Sequence, residues 1–115
     1  VSSDGGPVGR RRRGLGLVRV AGVSMEPTLR ADDVVLVWWG ACARPDALVV
    51  FEHPERQGLL LVKRAVHRDP EDTARWWVER DNVAGGSDSW TLGSIADSDI
   101  LGRVVTRLPR ALTRG

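Results

Sequence analysis

Apolar positions along the chain fall into short runs rather than into helical stripes. The runs are Leu15–Ala21, Val34–Trp39, Ala47–Glu52, Leu59–His67, Arg75–Arg80 and Ile100–Leu108. Val, Leu and Trp dominate them, and β-branched and aromatic side chains suit a pleated, half-buried surface. The breaks between runs carry turn chemistry: Ala31-Asp32-Asp33, Arg44-Pro45-Asp46, His53-Pro54 and Asp69-Pro70-Glu71-Asp72. Asp and Pro favour turns because one bonds its own backbone and the other fixes φ. No window of a dozen residues keeps an apolar period of 3.6. Short helical turns are expected only after Ser24 and over Ser94–Asp97. The pattern predicts a mostly β, single-domain fold of about six strands. Residues 1–14, rich in Gly, Ser and Arg, are expected to form a flexible basic tail. The folded domain is then expected over 15–110, with a short C-terminal tail over 111–115.

Composition agrees with one folded unit. A chain of 115 residues with 42% apolar content is long enough to bury a core. Among its five Trp are two adjacent pairs, Trp38-Trp39 and Trp76-Trp77. Strand alternation places one ring of each pair on each sheet face. The net charge of +2 hides a basic run, Arg10 to Arg13, and further arginines from Arg103 onward. No aromatic residues interleave with that run, and no helix-turn-helix or zinc-finger spacing appears, so a nucleic-acid partner is not expected. The run reads as a solvated tail, with peripheral contact to an anionic membrane left open.

Cys42 is the single cysteine, which excludes an internal disulfide; it is expected to be a small buried residue. Two separated histidines and one cysteine form no metal-ligand cluster, and neither a metal nor a cofactor is expected. No stretch is long and apolar enough for a transmembrane helix, and the first residues lack the apolar segment of a secretory signal. A cytoplasmic location is expected, with the cytoplasmic membrane surface as the alternative.

Charge type is more informative than charge number. Of the 17 Lys and Arg residues, one is lysine, Lys63. Arginine supplies surface charge as well as lysine does, but its guanidinium does not deprotonate in proteins. A lone lysine therefore suggests a task that needs a neutral amine. Alternation along Leu59–His67 puts Lys63 on the face of Leu61 and Ala65, opposite Val62, Arg64 and Val66. Desolvation on an apolar face lowers an ammonium pKa from about 10.4 towards neutrality, where a lysine can act as general base. Arg64, turned to the other face, is expected to carry ordinary solvent charge.

A hydroxyl partner is available in Gly22-Val23-Ser24-Met25-Glu26-Pro27-Thr28-Leu29. Ser24 follows a predicted strand, where its Oγ can be exposed with backbone N–H groups near enough to receive an oxyanion. Pro27 suits the first turn of a helix. Gly22 permits close approach of a substrate backbone. By generic chemistry alone, most serines in such a place are turn or cap residues. His53 and His67 lie beside turns and read as surface residues rather than as members of a Ser–His–Asp triad.

Three ordered boxes carry a family resemblance. Ser24-Met25-Glu26-Pro27-Thr28-Leu29 resembles the serine box of type I signal peptidases, and Leu61-Val62-Lys63-Arg64-Ala65-Val66 resembles their lysine box. Asp81-Asn82, with Asp88-Ser89 and Gly93, is similar to their Gly-Asp-Asn…Asp-Ser…Gly box, and Leu101-Gly102-Arg103-Val104 to their closing strand. The resemblance spans about Val18 to Val105. It implies a signal peptidase or LexA-like β fold and a serine endopeptidase with a Ser–Lys dyad. Ser24 would be the nucleophile, Lys63 the general base, and the N–H of Ser24, with Gly22 beside it, the oxyanion site. Asp88 and Ser89 would support the lysine-bearing strand.

Departures from the family pattern are specific. Arg80 stands in place of a glycine, Gly86 in place of a lysine-supporting serine, and Trp90 in place of an arginine. Ser87, adjacent to Gly86, could supply the missing hydroxyl. The anchor and the large inserted cap of the family are also missing from this sequence. The shortened pattern resembles the nickel-type superoxide dismutase maturation proteases, a branch of the same family. That likeness implies a leader-bearing superoxide dismutase precursor as protein substrate. A general signal peptidase acting on secretory preproteins and a non-catalytic β-rich binding module remain alternatives. A self-cleaving module like the LexA-type repressors needs a cleavage site well upstream, whereas 23 residues precede Ser24.

Overall fold

A computed structural model of the chain describes residues 13–22, 24–82 and 93–113. Seven strands form a single sheet: β1 Gly14–Arg19, β2 Val34–Trp39, β3 Leu48–Glu52, β4 Leu60–Asp69, β5 Asp72–Glu79, β6 Ile95–Ala96 and β7 Ile100–Arg107. Their order across the sheet is β1-β2-β7-β3-β4-β5-β6, and the neighbours pair antiparallel. Two helical turns accompany them, a 3-10 turn over Asp97–Asp99 and α1 over Arg110–Thr113. The mostly β expectation holds.

The sheet buries apolar side chains on both faces. Val35, Val37 and Trp39 of β2 join Val50, Leu60 and Val62 in one cluster, to which Val20, Met25 and Leu29 contribute from the chain after β1. Val49, Phe51, Ala65, Trp76, Val78, Ile95 and Ile100 form a second cluster. β3 serves both, because its neighbours β7 and β4 cover its edges and Val49, Val50 and Phe51 are all fully buried. A continuous apolar run is what a strand buried on both faces requires. Close packing also explains Gly102, where a Cβ would come within 2.8 Å of the Trp38 carbonyl oxygen.

The elements depart from expectation in a few places. Seven strands form instead of about six, because Ile95–Ala96 pairs with Arg75 and Trp76 of β5 where a helical turn was expected. Burying Ile95 against Trp76 in the second cluster outweighs local turn preference. The segment after Ser24 is a turn and not a helix, with a cis peptide bond between Glu26 and Pro27. The hairpin turn between β4 and β5 falls at Pro70-Glu71, inside the expected break. Trp39 and Trp76 are buried, whereas Trp38 is exposed and Trp77 half-buried, as alternation requires. Cys42 is exposed, contrary to expectation: its neighbours Ala41 and Ala43 take the buried positions and turn it outward. At the C-terminus, residues 111–113 belong to α1 rather than to a tail. The expected N-terminal tail lies, up to residue 12, outside the described residues.

Candidate active site

Ser24 sits on a loop whose ends are tied together. Val20 donates its N–H to the Asp33 carbonyl at 2.7 Å, and Asp32 donates to the Val20 carbonyl at 2.7 Å. Asp33 in turn donates its N–H to the Arg30 carbonyl at 3.0 Å, and its Oδ2 accepts the Arg30 N–H at 2.8 Å. The loop therefore leaves the sheet and returns through a closed neck, with Met25 and Leu29 packed into the first cluster beneath it. Leu29 also donates to the Met25 carbonyl at 2.8 Å. Gly22 has φ of +86°, a conformation that L side chains rarely adopt, and a Cβ there would meet nothing within 4 Å. The backbone conformation at Gly22, more than crowding, is what requires glycine.

The neck is closed from a distance by the C-terminal helix. Arg110 reaches Asp33 with two bonds, Nε to Oδ1 at 2.9 Å and Nη2 to Oδ2 at 3.1 Å. The Arg110 hydrogen bond, with the Arg30 N–H, holds the Asp33 carboxyl below its usual range against the opposing effect of burial. A carboxylate with a lowered native pKa adds stability above its unfolded pKa and loses it as pH falls through the native value. Arg110→Ala should therefore lower Tm at neutral pH and move acid unfolding to higher pH. Arg110→Lys, with one charged contact instead of a fork, should fall between the two. Circular dichroism melts across pH measure this, and equal melting curves for all three proteins would refute it.

A second set of ties joins the Ser24 loop to β4 and to the chain after β5. Asn82 donates its N–H to the Ser24 carbonyl at 2.9 Å. Thr28 donates its hydroxyl to Asp81 Oδ2 at 2.5 Å. Arg64 holds the same carboxylate with Nε to Oδ1 at 2.9 Å and Nη2 to Oδ2 at 2.7 Å, and donates Nη1 to the Asp46 carbonyl. Asp81 thus links the loop to the strand that carries Lys63. Arg64 is a partly buried structural cation, which corrects the expectation of an ordinary solvent charge. Alternation did place it correctly, on the face opposite Lys63. Asp81 is drawn below the usual carboxylate range chiefly by the Arg64 hydrogen bond, with Thr28 assisting.

Lys63 lies near the middle of β4, opposite Val49 of β3. It is 2% exposed, one of two buried charged residues among those described, the other being Asp33. Leu61 and Ala65, its partners in alternation, pack with the second cluster, while Leu60 and Val62 pack with the first. The expected apolar face is present. Asp88, Ser89 and Ser87, together with Gly86 and Trp90, lie outside the described residues.

Other candidate groups take structural places. His53 Nδ1 accepts the Glu55 N–H at 3.0 Å in the turn after β3. His67 stacks on Trp77, with centroids 6.4 Å apart and planes 8° from parallel. Among the described residues no group of three His, Cys, Asp or Glu side chains could hold a metal ion. Compared with known proteins, the chain matches no protein-family model and no curated protein sequence.

Sequence reasoning missed the two clamps, Arg64–Asp81–Thr28 and Arg110–Asp33. A signal for Asp33 was present: it is in phase with Val35, Val37 and Trp39, so alternation turns it inward with them. Nothing local marks Arg110 as its partner, 77 residues away.

Proposed function

We propose that the chain is a serine endopeptidase in which Ser24 is the nucleophile and Lys63 the general base. The observation that carries the reading is the chain's single lysine buried within a strand, beside the arginine whose carboxylate partner also holds the serine-bearing loop. Burying an amine disfavours its charged form, and a surface-charge role would not require that cost. A neutral Lys63 would accept the Ser24 hydroxyl proton as Oγ attacks the scissile carbonyl. The N–H of Ser24 would face the oxyanion, and the open conformation at Gly22 would leave room for a substrate strand. The protonated lysine would then return its proton to the leaving amine. Water would then attack the Ser24 ester, giving a proton to Lys63, which returns it to Oγ as the ester bond breaks and the acyl group leaves as the acid.

The substrate follows from the boxes that resemble the short branch of the type I signal peptidases: an N-terminal leader on a nickel-type superoxide dismutase precursor. Among the described residues no helix is long and apolar enough to cross a membrane. A cytoplasmic site of action is part of this proposal.

The test is a cleavage assay read by mass spectrometry. The protein, Ser24→Ala and Lys63→Arg are each incubated with the dismutase precursor and with a secretory preprotein. Leader removal from the dismutase alone, lost in both variants, is the expected result. Cleavage of the secretory preprotein instead would assign a general signal peptidase. Undiminished cleavage by the variants would remove Ser24 and Lys63 from the mechanism, and a folded protein that cuts neither substrate would leave the binding-module alternative in place.

A further inference from the structure

The charges around Lys63 divide unevenly between the two faces of the sheet. In the β4–β5 ladder Arg64 stands opposite Glu79 and Ala65 opposite Val78. One step further in that register sets Arg80 opposite Lys63. Asp81 shows that alternation continues so far, because it meets Arg64 on the face away from Lys63. Arg80, between Glu79 and Asp81, therefore turns with Trp76 and Val78 to the Lys63 face. It is half-buried, and its Nε donates to the Asn82 carbonyl at 2.8 Å, which holds the guanidinium at this end of the ladder. Residues directly opposite in an antiparallel pair have Cβ atoms about 5 Å apart.

The remaining neighbours of Lys63 on that face are apolar. β3 supplies Val49 and Phe51, β4 Leu61 and Ala65, and β5 Val78. Arg103 of β7, beyond Val49, donates to the Cys42 carbonyl and lies over the Trp38 ring. Asp97 reaches the face at Trp76, where it accepts the indole N–H and a bond from Arg68. Glu52, Glu79 and Asp81 alternate to the opposite face, as does His67, stacked on Trp77. Arg44, Asp46 and Asp99 are exposed, and the Ser24 loop adds the carboxylate of Glu26. Arg80 is thus the charged group that the ladder sets nearest to Lys63 on its own face.

We propose that Arg80 is a positioning residue for the reaction, whose fixed cation keeps the Lys63 amine neutral at working pH. A guanidinium stays charged in proteins, so repulsion between the two cations is relieved by the lysine giving up its proton. Burial already disfavours the ammonium, and a like charge opposite acts in the same direction. Glycine, which the signal peptidase pattern has at this place, supplies no such charge, so the arrangement belongs to this chain's own sequence. The inference rests on the reading of Lys63 as general base, but the titration of the amine can be followed without turnover.

The chain's single lysine makes that titration readable. Full-length protein grown on isotope-labelled lysine gives one Cε resonance, whose position against pH reports the Lys63 amine alone. Arg80→Gln, and Arg80→Gly as a second way of removing the charge, should each raise the Lys63 pKa by about one unit. The acid limb of kcat/KM should move to higher pH by the same amount, because that limb reports the base of the free enzyme. Arg80→Lys keeps a cation and should leave the limb where the parent has it. Circular dichroism confirms that each variant is folded. A merely structural role would lower Tm or rate without moving either titration. A Lys63 resonance that titrates unchanged in the folded charge-removing variants would overturn the proposal, as would a pKa that falls. A raised pKa in a protein that cuts no peptide would uphold the action of Arg80 on the amine and remove the peptidase reading instead.

Discussion

Lys63→Met should abolish peptide cleavage in a protein that still folds. The two side chains are similar in length and volume, so the second cluster keeps its packing around Leu61 and Ala65. The substitution places a thioether at a site that is 2% exposed, where an amine has to be desolvated. Removing a buried amine also leaves its polar partner unmatched, a cost the fold should tolerate with a moderate fall in Tm. Catalysis has no such tolerance, because a thioether cannot take a proton from Ser24. The fall in kcat/KM should be on the order of 10⁴ or more, the scale seen when one member of a nucleophile–base unit is removed. The paired measurement of melting and cleavage is decisive. Retained activity would refute the general-base role, and a large drop in Tm would show that the amine is kept for its structural bonds.

Asp81→Asn should loosen the Ser24 loop and cost both stability and rate. The carboxylate accepts two bonds from Arg64 and one from Thr28, and side-chain exposures of 16% for Asp81 and 31% for Arg64 leave the pair partly screened. An amide of the same shape would turn its NH₂ towards one of these donors and leave Arg64 without a countercharge. The expected loss is about 2 kcal/mol, between a surface pair and a fully buried one. Activity should fall by about tenfold to a hundredfold, since small misplacements of a nucleophile are expensive. Thr28→Val, which removes one of the three bonds, should have a smaller effect on both. The lowered pKa of Asp81 means that its contribution is present above the ordinary carboxylate range and is lost as pH falls through its native value. Stability owed to this clamp should therefore be constant across neutral pH, and its difference from Asp81→Asn should vanish in acid. A variant as active and as stable as the parent would show that the clamp does not position the loop.

Much of the fold was legible because its signals are local. Val34–Trp39 was delimited correctly by its own apolar run and by the Ala31-Asp32-Asp33 break before it. The alternation that set Lys63 apart from Val62 and Arg64 needs the geometry of one strand alone. The order of strands is different in kind. β7, last in the chain, inserts between β2 and β3, and no local pattern specifies that pairing. β6 has two residues and owes its strand state to Trp76, a neighbour distant in sequence. The candidate site divides in the same way. Ser24 and Lys63 are candidates singled out by residue type and box, whereas Asp33–Arg110 and Arg64–Asp81 are long-range pairs of common residues whose partners only the fold selects.

A chain with one lysine, and that lysine in the middle of a ladder, carries its own unfolding reporter. A lysine-specific endoprotease has a single bond to cut, and productive binding needs that segment of β4 extended and free of β3 and β5. The folded protein should resist such an enzyme, and each cut should record one opening event. Under conditions where reclosing outpaces cutting, the rate at which the two halves appear gives the free energy of freeing β4. Arginine-directed proteolysis of the same sample would instead report the exposed turns, so the ratio of the two separates local fraying from loss of the sheet.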